Sequence, residues 1–297
     1  MSTSSALKAY PLCGVENMYS ILIIYDRKQT GETLLPIAVI FARYLWYAFF
    51  MDTLYIVMPA YNEAANISRT IGKWHPLLEL GSEDSRLVIF NDGSRDDTLA
   101  VCRSLVAAYP RLTVIDKPNS GHGPTCLTAY AYALEHGADY IFQTDSDDQT
   151  EPDEMRALWA ARHDYDIQIG LRKNRRDGFS RIIVSKVLKG VLLLIFKVRI
   201  PDANTPFRLI SRPALQNYLA LIPPNFFLAN VLMSALAVRR NDQIRWQPIT
   251  FRPRTAGVNS INLKKIFRIG LRALSDLSAA EKATRNVGKG GNWDGSD

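Results

Sequence analysis

Between Leu54 and Leu171 short apolar runs alternate with stretches of helical periodicity, and no other feature narrows the fold so far. The runs are Leu54 to Met58, Leu87 to Phe90, Leu112 to Ile115, Tyr140 to Phe142 and Ile167 to Leu171. Helical stretches fall at about Asn66 to Leu80, Asp97 to Ala108, Pro124 to His136 and Pro152 to Arg162. Parallel strands need a crossover between them, and a helix of this length supplies it. The expected class is therefore α/β, a mainly parallel sheet flanked by helices. Loops that follow the carboxyl ends of such strands converge on one edge of the sheet, where ligands bind.

Those loops carry the polar motifs. The fourth run leads into Asp145-Ser146-Asp147-Asp148-Gln149, which sets two carboxylates one residue apart at a strand tip. A pair of this kind can share one Mg²⁺ or Mn²⁺ ion, and such ions complete their shells with phosphate oxygens and water, which points to a diphosphate ligand. Alone, the same residues read equally well as an acidic turn capping the next helix. The first run ends in Pro59-Ala60-Tyr61-Asn62-Glu63, presenting a ring and a carboxylate where a nucleotide can be gripped. The second ends in Asn91-Asp92-Gly93-Ser94, where Asp92 can accept hydrogen bonds from a base or ribose and Gly93 allows a tight turn. Lys117 to Pro124, containing Gly121, is a glycine loop that opens a helix. Each motif is weak singly; their order and shared edge are what carry weight. The four histidines show no metal-ligand spacing.

Charge divides the chain. Residues 1–170 hold 13 Lys and Arg against 22 Asp and Glu (net −9), whereas residues 171–297 hold 23 against 7 (net +16). The basic half calls for an anionic partner. Its cations are interleaved with Leu, Ile and Val rather than with stacking aromatics, so a membrane surface is expected and nucleic acid is not. The apolar stretch from Ser180 to Val198, punctuated by Arg181, Lys186, Lys189 and Lys197, suits a helix lying among lipid headgroups. A second amphipathic basic helix is expected over Leu263 to Leu277, and a disordered tail over 286–297. Leu34 to Phe50 is apolar but broken by Arg43 and led by Pro36, which favours a peripheral helix over a span. Met51 reads as a natural chain start, so no function is assigned to the first fifty residues. Three cysteines without pairing motifs fit a reducing compartment, hence a cytoplasmic, peripheral protein. The expected organisation is an N-terminal extension (1–52), an α/β half carrying the strand-tip motifs (53–175), a basic membrane-interface half (176–285) and the tail (286–297).

Together P-A-Y-N-E at 59–63, N-D-G-S-x-D-x-T at 91–98, N-x-G-x-G at 119–123 and D-S-D at 145–147 resemble the family 2 glycosyltransferases of GT-A (Rossmann-like) fold. Within it the chain looks most like the dolichyl-phosphate mannosyltransferase and polyprenyl-phosphate glycosyltransferase branch. D-x-D-x-Q is matched at Asp145, Asp147 and Gln149, and further segments are echoed at Gly170 to Arg172, Asp202 to Arg208 and Phe251 to Ser260. Pro206 stands where the branch has Gly, and Leu171 where it has Ser. The resemblance implies that Pro59, Ala60, Tyr61, Glu63, Asp92, Gly121, Asp145 and Ser146 surround a nucleotide sugar, and that Asp145, Asp147 and Gln149 hold the metal. It implies a nucleotide diphosphate sugar as donor, a polyprenyl phosphate as acceptor, and inversion at the anomeric carbon.

The residues add an argument of their own. Transfer to a sugar hydroxyl needs a general base, yet no acid occurs between Asp202 and Asp242. A phosphate acceptor is already anionic and needs cations instead. Arg172, Arg181, Arg208 and Arg254, with Ser185, are the expected phosphate contacts, Asp202 is the fallback base, and the loop over 172–177 is expected to order around bound donor.

Overall fold

The computed structural model describes residues 51–172, 179–252 and 274–282, with the backbone alone over 179–186. Seven strands build one sheet: β1 (Leu54–Ala60), β2 (Arg86–Asp92), β3 (Leu112–Lys117), β4 (Tyr140–Thr144), β5 (Ile167–Arg172), β6 (Phe207–Ser211) and β7 (Ile244–Ile249), in the order β3-β2-β1-β4-β6-β5-β7. All five expected strands form, and β6 and β7 add to them. Neighbours run parallel except around β6, which is antiparallel to both β4 and β5. The sheet takes strands from both sides of residue 175. β1 is buried along its whole length, because helices cover both faces and leave no room for polar alternation.

The helices are α1 (Ile67–Trp74), α2 (Thr98–Leu105), α3 (His122–Glu135), α4 (Met155–Ala160), α5 (Phe179–Phe196), α6 (Arg212–Leu221) and α7 (Ala229–Arg239), and residues 274–282 are helical as well. Three boundaries differ from the sequence reading. The helix expected over 66–80 ends at Trp74 and continues as a 3-10 turn, His75–Leu80, where Pro76 removes a backbone donor. The stretch from Pro152 likewise opens with a 3-10 turn before the short α4. Conversely α3 begins two residues before Pro124, because the first turn of a helix has no use for the missing N–H.

On one face of the sheet Ile56, Ile89 and Leu209 pack beneath α1, and Trp74 stacks on Phe142 with ring centroids 5.3 Å apart. On the other, Val57, Phe90, Ile141 and Ile210 meet α3, α6 and α7. α7 is buried from Ala229 to Ala237, so it acts as an internal wall. Gly123 lets α3 reach it: a Cβ there would strike the carbonyl oxygens of Phe226 and Phe227. α5 buries Val191, Leu192 and Phe196 but leaves Val187, Leu193 and Leu194 exposed, the last at 80%. Among the described residues no helix is long and apolar enough to cross a membrane.

Candidate active site

Polar residues gather beyond the carboxyl ends of β1, β2, β3 and β4. The loops after β1 and β2 are stitched into one platform. Asn62 N–H donates to Ser94 Oγ (3.0 Å), Arg95 N–H to Asn62 Oδ1 (2.8 Å), Glu63 N–H to Thr98 Oγ1 (2.8 Å) and Ala64 N–H to Asp96 Oδ2 (3.2 Å). Tyr61 is partly exposed beside this platform, at 42%. Glu63 Oε2 accepts from Asn66 Nδ2, at the start of α1. Beside them lies a residue not singled out from sequence: Asn91 donates through Nδ2 to Asp116 Oδ1 (2.7 Å), while its own Oδ1 is buried without a partner among the described residues. Such an oxygen costs free energy until a donor arrives. No sequence signal separated it from the turn residues around it.

Asp92 departs from its expected role. Its carboxylate accepts from Lys117 Nζ and from the backbone N–H groups of Ser120 (2.8 Å) and Gly121 (2.9 Å). Burial alone would raise its pKa, but these donors outweigh it and hold the group below the ordinary aspartate value. Asp92 thus shapes the glycine loop from inside instead of facing a base. Gly121 serves the same turn at φ +88°, and Gly93, at φ +62°, lies where a Cβ would come within 2.8 Å of Asn119 N.

The residues expected to hold the metal follow β4. Ser146 anchors them, donating from Oγ to Pro59 O (2.9 Å) while its carbonyl accepts from Thr70 Oγ1 (3.1 Å). Asp148, at φ +59°, is neutralised by Arg69 Nε (2.7 Å) and Lys73 Nζ (2.8 Å). Asp145 and Asp147 remain on the loop. Asp145 Oδ1 is held by His122 Nε2 at 2.9 Å and Gln143 Nε2 at 3.3 Å, and its Oδ2 has no partner among the described residues. Asp147 is buried, with Oδ1 accepting from Gln149 N–H (3.3 Å). Gln149 donates from Nε2 to Arg252 O (2.6 Å) and accepts Arg252 N–H on its own carbonyl (2.7 Å), which leaves its Oε1 without a partner among the described residues. An ion pair from Arg252 to Glu151 (2.6 Å) and a Thr150 to Phe251 bridge complete this strap, so the segment leaving β7 starts at the metal loop.

Among the described residues no three His, Cys, Asp or Glu side chains form a closed cage. The donor set of Asp145, Asp147 and the Gln149 amide oxygen therefore fits an ion that takes the rest of its shell from phosphate oxygens and water, as Mg²⁺ and Mn²⁺ do.

The arginines behave differently from the expectation. Arg172 grips Asp202 through two bonds of 2.7 Å, with both side chains nearly buried, and lies over the Phe251 ring at 5.0 Å. Arg208 is wholly buried, and its N–H groups go to Thr205 O, Ala203 O, Asn230 O and Ser234 Oγ. A guanidinium so committed cannot reach an incoming phosphate; it ties β6 to α7. Burial lowers its pKa. Arg254 and the side chains of Arg181 and Ser185 lie outside the described residues, as do 1–50, all but Arg172 of the loop expected over 172–177, most of the helix expected from Leu263 and the tail expected over 286–297.

The profile of the family described as "Glycosyl transferase family 2" matches residues 55–219, more than half of the chain. The chain belongs to glycosyltransferase family 2. This family 2 glycosyltransferase is 24% identical over 216 residues to polyprenol monophosphomannose synthase of Mycolicibacterium smegmatis, covering 70% of this chain and 80% of that protein. It is 24% identical over 185 residues to undecaprenyl-phosphate 4-deoxy-4-formamido-L-arabinose transferase of Aeromonas hydrophila, covering 62% of this chain and 56% of that one. A shorter match, 39% over 98 residues, covers 33% of this chain and only 10% of chondroitin synthase of Pasteurella multocida. Among solved structures, glucosyl-3-phosphoglycerate synthase from Mycobacterium tuberculosis, in complex with Mn²⁺, UDP and glucosyl-3-phosphoglycerate, superposes with a TM-score of 0.57 at 18% identity, over 78% of this chain and 80% of that chain. The likeness identifies the fold as that of these transferases.

Proposed function

We propose that this glycosyltransferase moves a hexose from a nucleotide diphosphate sugar to a polyprenyl phosphate, with inversion, while resting on the cytoplasmic face of a membrane. The observation that carries the acceptor class is the state of Asp202. A transferase that attacks with a hydroxyl needs a carboxylate free to take its proton. Asp202 begins the acid-free stretch that ends at Asp242, and its charge is already answered by Arg172 in a two-bond pair. A phosphate acceptor brings its own negative charge and needs no base.

In this reading the platform of Pro59, Ala60, Tyr61 and Glu63 receives the nucleoside, and the buried Asn91 Oδ1 takes a hydrogen bond from it. Asp145, Asp147 and Gln149 would hold the cation, which supplies charge compensation for the departing diphosphate. Arg254, Arg181 and Ser185 are the remaining candidates for the acceptor phosphate. Arg172 joins them only where a phosphate competes with Asp202. The exposed Leu193 and Leu194 of α5, flanked by Lys189, Lys197 and Arg199, supply a surface for lipid headgroups and chains. The similarity to enzymes named for polyprenol and undecaprenyl phosphates points the same way.

The test is transfer. Protein incubated with labelled GDP-mannose or UDP-glucose, polyprenyl phosphate and Mn²⁺ is expected to put mild-acid-labile label into the organic phase, and chelation of the metal to stop it. Label appearing only on a saccharide hydroxyl would overturn the reading and return Asp202 to the role of base.

A further inference from the structure

Behind Asp145 lies a run of buried polar side chains that the proposed chemistry does not use. Tyr130 of α3, Asn230 of α7 and Gln143 of β4 are each at most 3% exposed. Tyr130 Oη lies 3.0 Å from Asn230 Oδ1, Asn230 Nδ2 lies 2.9 Å from Gln143 Oε1, and Gln143 Nε2 lies 3.3 Å from Asp145 Oδ1. Gln143 follows Ile141 at the alternate position of β4, so both face the α3 and α7 side of the sheet, and Asp145 comes just past the strand's end within reach of the Gln143 amide.

The chemistry of the last group sets the direction of the whole chain. An ionised carboxylate only accepts, so the Gln143 amide must turn its N–H toward Asp145 and its oxygen toward Asn230. Asn230 must then offer its N–H to Gln143 and its oxygen to Tyr130, and the phenol donates. Burial pushes the Tyr130 pKa up, which keeps that proton in place. Arg208 fixes the far end, donating to the Asn230 carbonyl at 3.1 Å. Every link donates toward the carboxylate, and successive links polarise one another.

We propose that Tyr130, Asn230 and Gln143 are positioning residues for the metal aspartate: they hold Asp145 Oδ1 from behind and so turn Oδ2 toward the cation. His122 grips the same oxygen from the solvent side. The inference rests on the metal role assigned to Asp145 above. It places part of the control of one metal ligand on Asn230 of α7, an element far along the chain from Asp145.

The experiment measures Mn²⁺ affinity by the loss of the free-ion electron paramagnetic resonance signal, with GDP and then UDP present. Gln143→Met keeps the side-chain length and removes the donor; about tenfold weaker Mn²⁺ binding is expected, in the range typical of groups that orient metal ligands. A merely structural network behaves otherwise. Replacing every partner by an apolar group of similar size relieves unsatisfied atoms and restores stability. The triple variant Tyr130→Phe, Asn230→Leu, Gln143→Met is therefore expected to melt near the wild type yet still bind Mn²⁺ about tenfold more weakly. Should neither fold, Tyr130→Phe alone preserves the packing and is expected to weaken Mn²⁺ binding about threefold. Wild-type affinity in the folded variants overturns the inference and leaves the functional reading standing. A wild type that binds no Mn²⁺ with either nucleotide overturns both.

Discussion

At the scale of single residues, position in the hydrogen-bond network decides more than residue type. Asp147→Ala is expected to lower transfer by about a thousandfold or more, the scale of losing a group that stabilises developing charge, with an unchanged circular dichroism spectrum; retained turnover would reject its metal role. Arg208 gives the opposite pattern. Arg208→Lys supplies three donors where the site uses a planar fork, and is expected to cost about 2 kcal/mol or more in urea unfolding. Asp92 connects to pH. Its folded pKa is depressed, so its contribution to stability is fully present above the unfolded aspartate value and is lost as pH falls through the folded one. Urea titrations from about pH 6 down to about pH 2, on both sides of the unfolded aspartate value of about 3.9, are expected to show wild type losing more stability than Asp92→Asn. These residues also mark the limit of what was legible. The acid and arginine types could be read from the sequence, but Asp92 and Arg208 each found protein partners from a distant segment, and nothing local encodes which side of a carboxylate or guanidinium stays open.

At the scale of elements, the parallel strands were legible because burial on both faces makes them continuous apolar runs. β6 escaped because Arg208 is the second of the five residues Phe207–Ser211, and a charged residue there reads as loop until its carbonyl partners are known. β7 escaped for the reverse reason: as an edge strand it is half exposed and carries Arg245 and Pro248, which an edge tolerates and an interior strand does not. The approach of α3 to the turn before α7 was not legible at all, since a glycine within a glycine loop does not announce what it must fit. Gly123→Ala is expected to destabilise by about 1–3 kcal/mol through overpacking against Phe226 and Phe227, measured as a drop in urea midpoint at constant m-value.

At the scale of the whole molecule, the chain divides into an acidic first part, net −9 over residues 1–170, and a basic second part, net +16 over residues 171–297. The basic half carries α5, whose exposed leucines lie beside cations. Burying one leucine in lipid is worth about 1.5–3 kcal/mol, so Leu194→Ser is expected to reduce co-sedimentation with vesicles containing anionic lipid by roughly tenfold. Raised salt is expected to weaken binding of wild type and variant alike, because both retain the lysines. Equal binding of variant and wild type would place the lipid contact elsewhere.

The antiparallel insertion of β6 also has a bearing on how the chain is made. β2, β3 and β4 each pair with a strand made before them, β1, β2 and β1 in turn, and can assemble as they leave the ribosome. β5 cannot, because its two partners, β6 and β7, are both encoded after it. During synthesis of everything between Arg172 and Phe207, an apolar strand waits with both edges bare. Of the seven strands, Ile167–Arg172 waits longest for its first partner, and its nascent form leaves bare edges open to wrong pairing for longest.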